Sequence, residues 1–319
     1  MPSKWHMMVR ATIVFVLPCL LVVTSCSESP VPNSLASLHF MGKYPIKVVV
    51  TTGMVGDIVR HVGGDKVEVF QLMGEGVDPH LYKASPGDIK RLDESDVIVF
   101  SGLHLEGKLA ETLERLSRRK PTIAVADNLD KSKLLADPDG IVDPHIWFDV
   151  KLWRSGVKGI AEALSRFDRK NSDYYLENAA RYEAELDDFD QEVAERLKQI
   201  PESQRVLITA HDAFGYFARA YGLKVRSIQG ISTDAEAGLR EINSLVDYIC
   251  QNKIKAVFVE NTVSERNVKS LIEGCRAKGH DVVIGGELYS DGMGKTGSPE
   301  GNYIGMVRHN VDVLVSSLK

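Results

Sequence analysis

The stretch SDYYLENAARYEAELDDFDQEVAERLKQ, residues 172–199, decides how this chain is divided. Tyr175, Ala179, Tyr182, Leu186, Phe189 and Val193 recur in it at steps of four and three, which makes one apolar stripe on an otherwise charged helix. At about 1.5 Å per residue the helix is roughly 40 Å long, the width of a domain. A plain surface helix would carry the same stripe. The length and the position at mid-chain favour a rod that connects two lobes, and Pro201 ends it.

On both sides of the rod, strand and helix patterns alternate. Before it, Ile46–Thr51 is a continuous β-branched run, as expected of a strand buried on both faces. Helix Met54–Val62, strand Val67–Leu72, a helix from Pro86 to Asp93 with Ser85 as its N-cap, and strand Val97–Phe100 follow. Helix Leu105–Ser117, strand Thr122–Ala126 and helix Val150–Arg166 complete that side. After the rod come strands Arg205–Thr209, Lys224–Ile228, Ala256–Val259 and Asp281–Ile284. They alternate with helices Ala213–Tyr221, Ala237–Gln251 and Glu265–Ala277, and a last helix, Tyr303–Leu318, closes the chain. The expected fold class is α/β: two lobes, each a roughly four-stranded parallel sheet flanked by helices, joined by one long helix. The division expected is a lobe over 46–170, the helix over 171–200 and a lobe over 201–319.

The chain has 319 residues, 44% of them hydrophobic and 26% charged, enough for two ordinary globular domains. A net charge of −5 gives no electrostatic case for nucleic acid. At the N-terminus, Lys4 and Arg10 flank the apolar run Ala11–Val23, too short to span a bilayer comfortably and read as a signal peptide over 1–25. The run ends in Val23-Thr24-Ser25-Cys26, which resembles the lipobox of bacterial lipoproteins, with Cys26 as the lipidated residue; an ordinary secretory signal with a chance Cys is the plainer alternative. Residues 26–45 then form a tether, its first part, Ser27–Ser37, rich in Ser and Pro. Cys250 and Cys275, both in predicted helices, are left either to pair in an oxidising compartment or to serve as small buried apolar residues.

The chemistry centres on a repeat. Val77-Asp78-Pro79-His80-Leu81-Tyr82 and Val142-Asp143-Pro144-His145-Ile146-Trp147 share Val-Asp-Pro-His, an aliphatic residue and an aromatic. Proline stiffens its own position and the one before it, so each His leaves a rigid turn, which suits an imidazole aimed at a fixed target. In parallel α/β sheets ligand sites form at the carboxyl ends of strands. His80, His145, His211 and Asp291 all follow strands, two in each lobe. Three imidazoles and a carboxylate suit a borderline divalent cation such as zinc, and a full protein set leaves little room for a reacting water, so the site reads as a cage for capture. The plainer readings are a turn histidine for His80 and His145, a helix cap for His211 or Asp212, and a turn residue for Asp291. Asp78 and Asp143 serve either the turn or the orientation of an imidazole. His61, His104, His280 and His309 read as residues with local partners. Gly292-Met293-Gly294-Lys295-Thr296 is not a phosphate loop, because Tyr289 stands where the leading Gly is needed. No Gly-x-Ser-x-Gly supports a hydrolase triad.

The lipobox-like end of the signal, Gly-Val-Asp-Pro-His-Leu-Tyr at 76–82, Asp-Pro-His-Ile-Trp-Phe-Asp at 143–149, Thr-Ala-His-Asp-Ala-Phe-Gly-Tyr-Phe at 209–217 and Glu-Leu-Tyr-Ser-Asp-Gly-Met-Gly at 287–294 stand in this order. Together they resemble the metal-binding receptors (solute-binding proteins) of bacterial zinc and manganese ABC transporters, in particular the TroA-like ones. The resemblance covers about residues 46–319. It implies a monomeric, lipid-anchored receptor on the extracytoplasmic (periplasmic) face that captures zinc or manganese, with iron also compatible, and passes it to an integral-membrane ABC permease. It carries the ligand positions over to His80, His145, His211 and Asp291 one by one, and implies no enzymatic activity. Two departures matter: Asp127–Val142 holds no His, so the His-rich loop of many zinc receptors is absent, and His211 stands where manganese receptors often have Glu. The latter tilts the site toward zinc. A metallohydrolase, which would need an open coordination position, and a metal-binding surface adhesin are the competing functions.

Overall fold

The computed structural model describes Met1 and residues 39–319; the expected signal peptide, Cys26 and most of the tether lie outside the described residues. In chain order the elements are β1 (Ile46–Val50), α1 (Gly53–Gly63), β2 (Val67–Gln71), α2 (Pro86–Glu94), β3 (Val97–Phe100), α3 (Ala110–Ser117), β4 (Thr122–Ala124), α4 (Val150–Phe167) and α5 (Ser172–Leu197). They continue with β5 (Val206–Thr209), α6 (Gly215–Tyr221), β6 (Lys224–Ser227), α7 (Leu239–Asn252), β7 (Ala256–Glu260), α8 (Arg266–Ala277), β8 (Val283–Leu288) and α9 (Tyr303–Leu318).

The first half builds one four-stranded sheet in the order β2-β1-β3-β4, parallel throughout. Successive side chains of a strand face opposite sides, and both faces here are covered. Val48 and Val50 of β1 enter the large central core, whereas Val49 packs with Ile98 and Leu92 on the other side. In the second half β5 pairs with β6 and β7 with β8, each pair parallel. The four strands expected are present, but as two ladders, with β5 running beside β7. At their carboxyl ends a side chain joins them: Glu260 Oε1 accepts the N–H groups of Ala210 and His211 at 2.8 and 2.9 Å. β7 repeats the two-sided burial, Ala256 and Phe258 facing the central core and Val257 and Val259 a separate cluster.

Helix α5 is the rod. Its 26 residues span about 39 Å. All six stripe residues are buried. It packs along α4 and α1 of the first half and α9 of the second. Polar ties pin it to both: Tyr182 Oη donates to Asp57 of α1 at 2.5 Å, Asn178 to the Val62 carbonyl at 2.9 Å, and Arg308 of α9 makes paired contacts of 2.9 Å with Glu192. The central core is continuous across the halves, taking in Ile46 and Trp153 on one side and Leu207, Phe258 and Leu314 on the other.

Among the boundaries that differ from expectation, three show the physical reason. The helix expected from Leu105 begins at Ala110, because Gly102, Leu103 and His104 all take positive φ and Glu106 is committed to the loop. Its carboxylate accepts Ser101 N–H at 2.8 Å, Gly102 N–H at 3.3 Å and the Thr51 hydroxyl at 2.7 Å. Strand β4 stops at Ala124, where Val125–Asn128 turns into a short 3-10 helix. Strand β8 runs through Gly285 and Gly286 to Leu288 rather than ending at Ile284, with a bulge opposite Val257 and Phe258. A Cβ on Gly285 would stand 2.8 Å from the Phe258 ring and one on Gly286 2.6 Å from Val313 of α9, so these glycines serve close packing and do not break the strand. Cys250 and Cys275 are free thiols, Cys275 fully buried. No helix among the described residues is long and apolar enough to cross a membrane.

Candidate metal centre

Each Asp-Pro-His turn is closed by its own aspartate. Asp78 Oδ1 accepts the His80 N–H at 2.8 Å, and Asp143 Oδ1 accepts the His145 N–H at 2.9 Å. Beyond the turn the copies diverge. Asp143 also receives Nδ1 of His145 at 2.7 Å, whereas Asp78 turns its other oxygen to the Thr233 hydroxyl of the second half at 2.6 Å. One aspartate thus orients an imidazole and the other ties the turn across the molecule.

His211 leaves the end of β5, and Glu260 at the end of β7 holds it. Glu260 Oε2 lies 2.5 Å from His211 Nδ1 while Oε1 takes the backbone N–H groups of 210 and 211. An ionised carboxylate only accepts, so each Nδ1 carries its proton toward Asp143 or Glu260, and Nε2 is the ring nitrogen turned toward the other candidate ligands. Neither His211 nor Asp212 caps a helix; α6 starts at Gly215 without a side-chain cap. Asp291 follows β8 in a turn held by Asn261, which accepts Ser290 N–H at 3.0 Å and donates to the Gly292 carbonyl at 3.1 Å. Trp147, two residues past His145, donates its indole N–H to the Ser290 carbonyl at 3.1 Å, and Tyr303 donates to the Trp147 carbonyl at 2.6 Å.

His80, His145, His211 and Asp291, from the segments that follow β2, β4, β5 and β8, converge with candidate donor atoms all within 4.8 Å of one another. His80 is 5% exposed, Asp291 1% and the other two fully buried. The Nε2 atom of His145 lies 3.4 Å from that of His80 and 3.3 Å from that of His211. Asp291 Oδ1 is 3.3 Å from His145 Nε2, and Oδ2 is 3.2 Å from His211 Nε2 and 3.6 Å from His80 Nε2. Four donors set tetrahedrally about 2.0–2.1 Å from a zinc ion stand about 3.3–3.4 Å apart, so a group with this spacing could hold one cation.

Both oxygens of Asp291 are buried, with the three imidazole nitrogens as their charge partners. Burial alone would raise its pKa, yet His211 and His145 hold the carboxyl well below the usual range. Burial would lower His145, but Asp143 and Asp291 push it up to about 9. His211 is likewise lowered by burial and carried well above its ordinary value by Glu260 and Asp291. His80, which lacks a private carboxylate at Nδ1, is driven down by burial, with the neighbouring imidazoles adding to it against the pull of Asp291. The pocket therefore holds a fixed anionic centre ringed by imidazole nitrogens.

Of the four histidines expected to have local partners, three bond backbone carbonyls. His61 Nδ1 meets the Asp57 carbonyl at 2.9 Å, His280 the Ile254 carbonyl at 2.6 Å and His309 the Glu287 carbonyl at 3.1 Å; His104 sits at positive φ in its loop. Sequence reasoning missed Glu260, Asn261 and the bridging part of Trp147. A signal existed for the first two: they stand at the carboxyl end of a buried strand, as the candidate ligands do.

The family model ZnuA, "Zinc-uptake complex component A periplasmic", matches residues 48–317. The manganese-binding lipoprotein MntA of Bacillus subtilis is 46% identical over 275 residues, 86% of this chain and 90% of that protein. The zinc-binding protein TroA of Treponema pallidum is 42% identical over 271 residues, 85% of this chain and 88% of that protein. The solved structure of that periplasmic zinc-binding protein matches with a TM-score of 0.84, covering 87% of this chain and 99% of its own. The chain therefore belongs to the ZnuA family, the metal-binding receptors of ABC transporters, which carry substrate and are not enzymes.

Proposed function

We propose that this protein captures one divalent transition metal ion, zinc or manganese, through Nε2 of His80, His145 and His211 and the carboxylate of Asp291, and delivers it to an ABC permease. The observation that carries this is the buried Asp291 carboxylate, its oxygens 3.2–3.6 Å from the Nε2 atoms of three imidazoles. A buried carboxylate is costly unless positive charge completes it, and a metal ion among these four side chains would supply that charge. The relatives' names speak for manganese in one case and zinc in another, and the histidine at 211 is compatible with both.

The receptor works as a monomer on the extracytoplasmic side, held to the membrane by lipid on Cys26 after removal of residues 1–25, with 26–45 as tether. Relatives named as lipoproteins support the anchor. Lobes over 46–170 and 201–319 flank the helix of 171–200, so each lobe gives two ligands. Metal analysis of the purified protein beside a His80→Ala/His211→Ala double variant tests the reading. One equivalent in the native protein and almost none in the variant is expected; equal, sub-stoichiometric metal in both would end it.

A further inference from the structure

We infer that Asn261 sets the cation preference of the site by clipping the turn that carries Asp291; this rests on the metal-capture reading. After Leu288, where Asn261 N–H still bonds the strand carbonyl at 3.0 Å, side chains rather than a strand partner hold the turn. Asn310 fixes both backbone groups of Tyr289, at 2.9 and 2.7 Å. Asn261 fixes the residues on either side of Asp291, Oδ1 to Ser290 N–H and Nδ2 to the Gly292 carbonyl. A single planar amide thus spans Asp291 and restricts its backbone torsions. A Cβ at Gly292 would stand 3.4 Å from Asn261 Nδ2 and 3.3 Å from Thr262 Cγ2, so the turn packs closely against the end of β7.

The consequence lies in how the carboxylate faces the imidazoles. Oδ1 addresses His145 and Oδ2 addresses His211 and His80, so both oxygens turn inward. With the three nitrogens they make five protein donors, two of them oxygen. Zinc is satisfied by four donors and tolerates nitrogen-rich sets, whereas manganese favours oxygen and higher coordination. Asn261 does not touch the cation. It is a positioning residue that keeps the second oxygen in play, and the second oxygen matters more to manganese than to zinc.

The test is to strip the protein and titrate Zn²⁺ and Mn²⁺ separately, by competition with a fluorescent chelator, into the native chain, Asn261→Ala and Asn261→Ser. The neutral, polar Asn261→Ser serves where the alanine variant fails to fold, and metal-free melting curves identify that case. The Mn²⁺ affinity is expected to fall about tenfold to a hundredfold, the usual cost of losing an outer partner of a ligand, while Zn²⁺ affinity falls by a clearly smaller factor. The visible absorption of the Co²⁺-loaded variant should intensify as coordination drops. Equal loss for both cations, or no loss for either, together with an unchanged Co²⁺ spectrum, overturns the inference. A native protein that binds neither cation at one equivalent refutes the capture reading itself and takes this inference with it.

Discussion

Glu260 Oε2 lies 2.5 Å from His211 Nδ1, and the same carboxylate takes the backbone N–H groups of Ala210 and His211 through Oε1. A side chain at the end of β7 therefore fixes the tautomer, the ring and the backbone of a residue at the end of β5. Glu260→Gln keeps an acceptor but removes the charge. We expect cation affinity to fall about tenfold to a hundredfold with little change in the metal-free melting curve. Chelator competition measures it, and an unchanged Kd would show that Glu260 holds only backbone.

Metal should stabilise the protein, because the donor set exists only in the folded state. At free metal about 100-fold above Kd the gain is about 2.7 kcal/mol. Differential scanning fluorimetry should show the melting temperature rise with added Zn²⁺ and return to the metal-free value with excess EDTA. Coincident curves would count against a folded-state site.

The joint between α1 and α5 carries a titratable group. The His61 ring stacks on Tyr182 at a centroid distance of 3.8 Å and its Nδ1 is 3.2 Å from Asp57 Oδ2, with Glu185 also acting on it. Burial lowers the His61 pKa, but Asp57 outweighs it and the net shift is upward. A folded-state pKa above the unfolded one, about 6.5, gives stability that is full below that pH and is lost as pH rises through the folded value. The stability difference between native protein and His61→Gln, measured metal-free by urea unfolding, should therefore be largest near pH 5.5 and shrink toward pH 8. A difference that grows with pH contradicts this.

Much of this was legible in the sequence, for local reasons. The bounds of β3 and α9 coincide with expectation, and the α5 stripe marks its buried face, because apolar periodicity and caps are short-range signals. The candidate ligands could be read because each follows a strand, two of them within a repeated turn. What escaped depends on the third dimension. From sequence the last strand is expected to stop at Ile284, before Gly285 and Gly286, because the partners of these glycines, the Phe258 ring and Val313, are distant in sequence. Asn261 stands at the end of a buried strand, but what its side chain holds becomes visible only once β8 lies beside β7.

Helix α5 and the continuous core limit how far the halves can move. Both halves bury side chains against the same helix, and Trp147 bonded to Ser290 with Tyr303 bonded to Trp147 tie them beside the site. Metal uptake should act through small shifts or loop rearrangement, not wide hinge closure. Small-angle scattering of metal-free and metal-loaded protein should give nearly superimposable curves; a large fall in radius of gyration on loading would contradict the rod.

The central claim is that one cation sits among His80, His145, His211 and Asp291. The most direct measurement is an anomalous difference map from crystals of the zinc-loaded protein, collected on either side of the zinc edge. We predict one strong peak per chain, about 2.0–2.2 Å from the three Nε2 atoms and from Asp291 oxygen. A peak at any other group of side chains, or none among these four in fully loaded protein, would contradict the account.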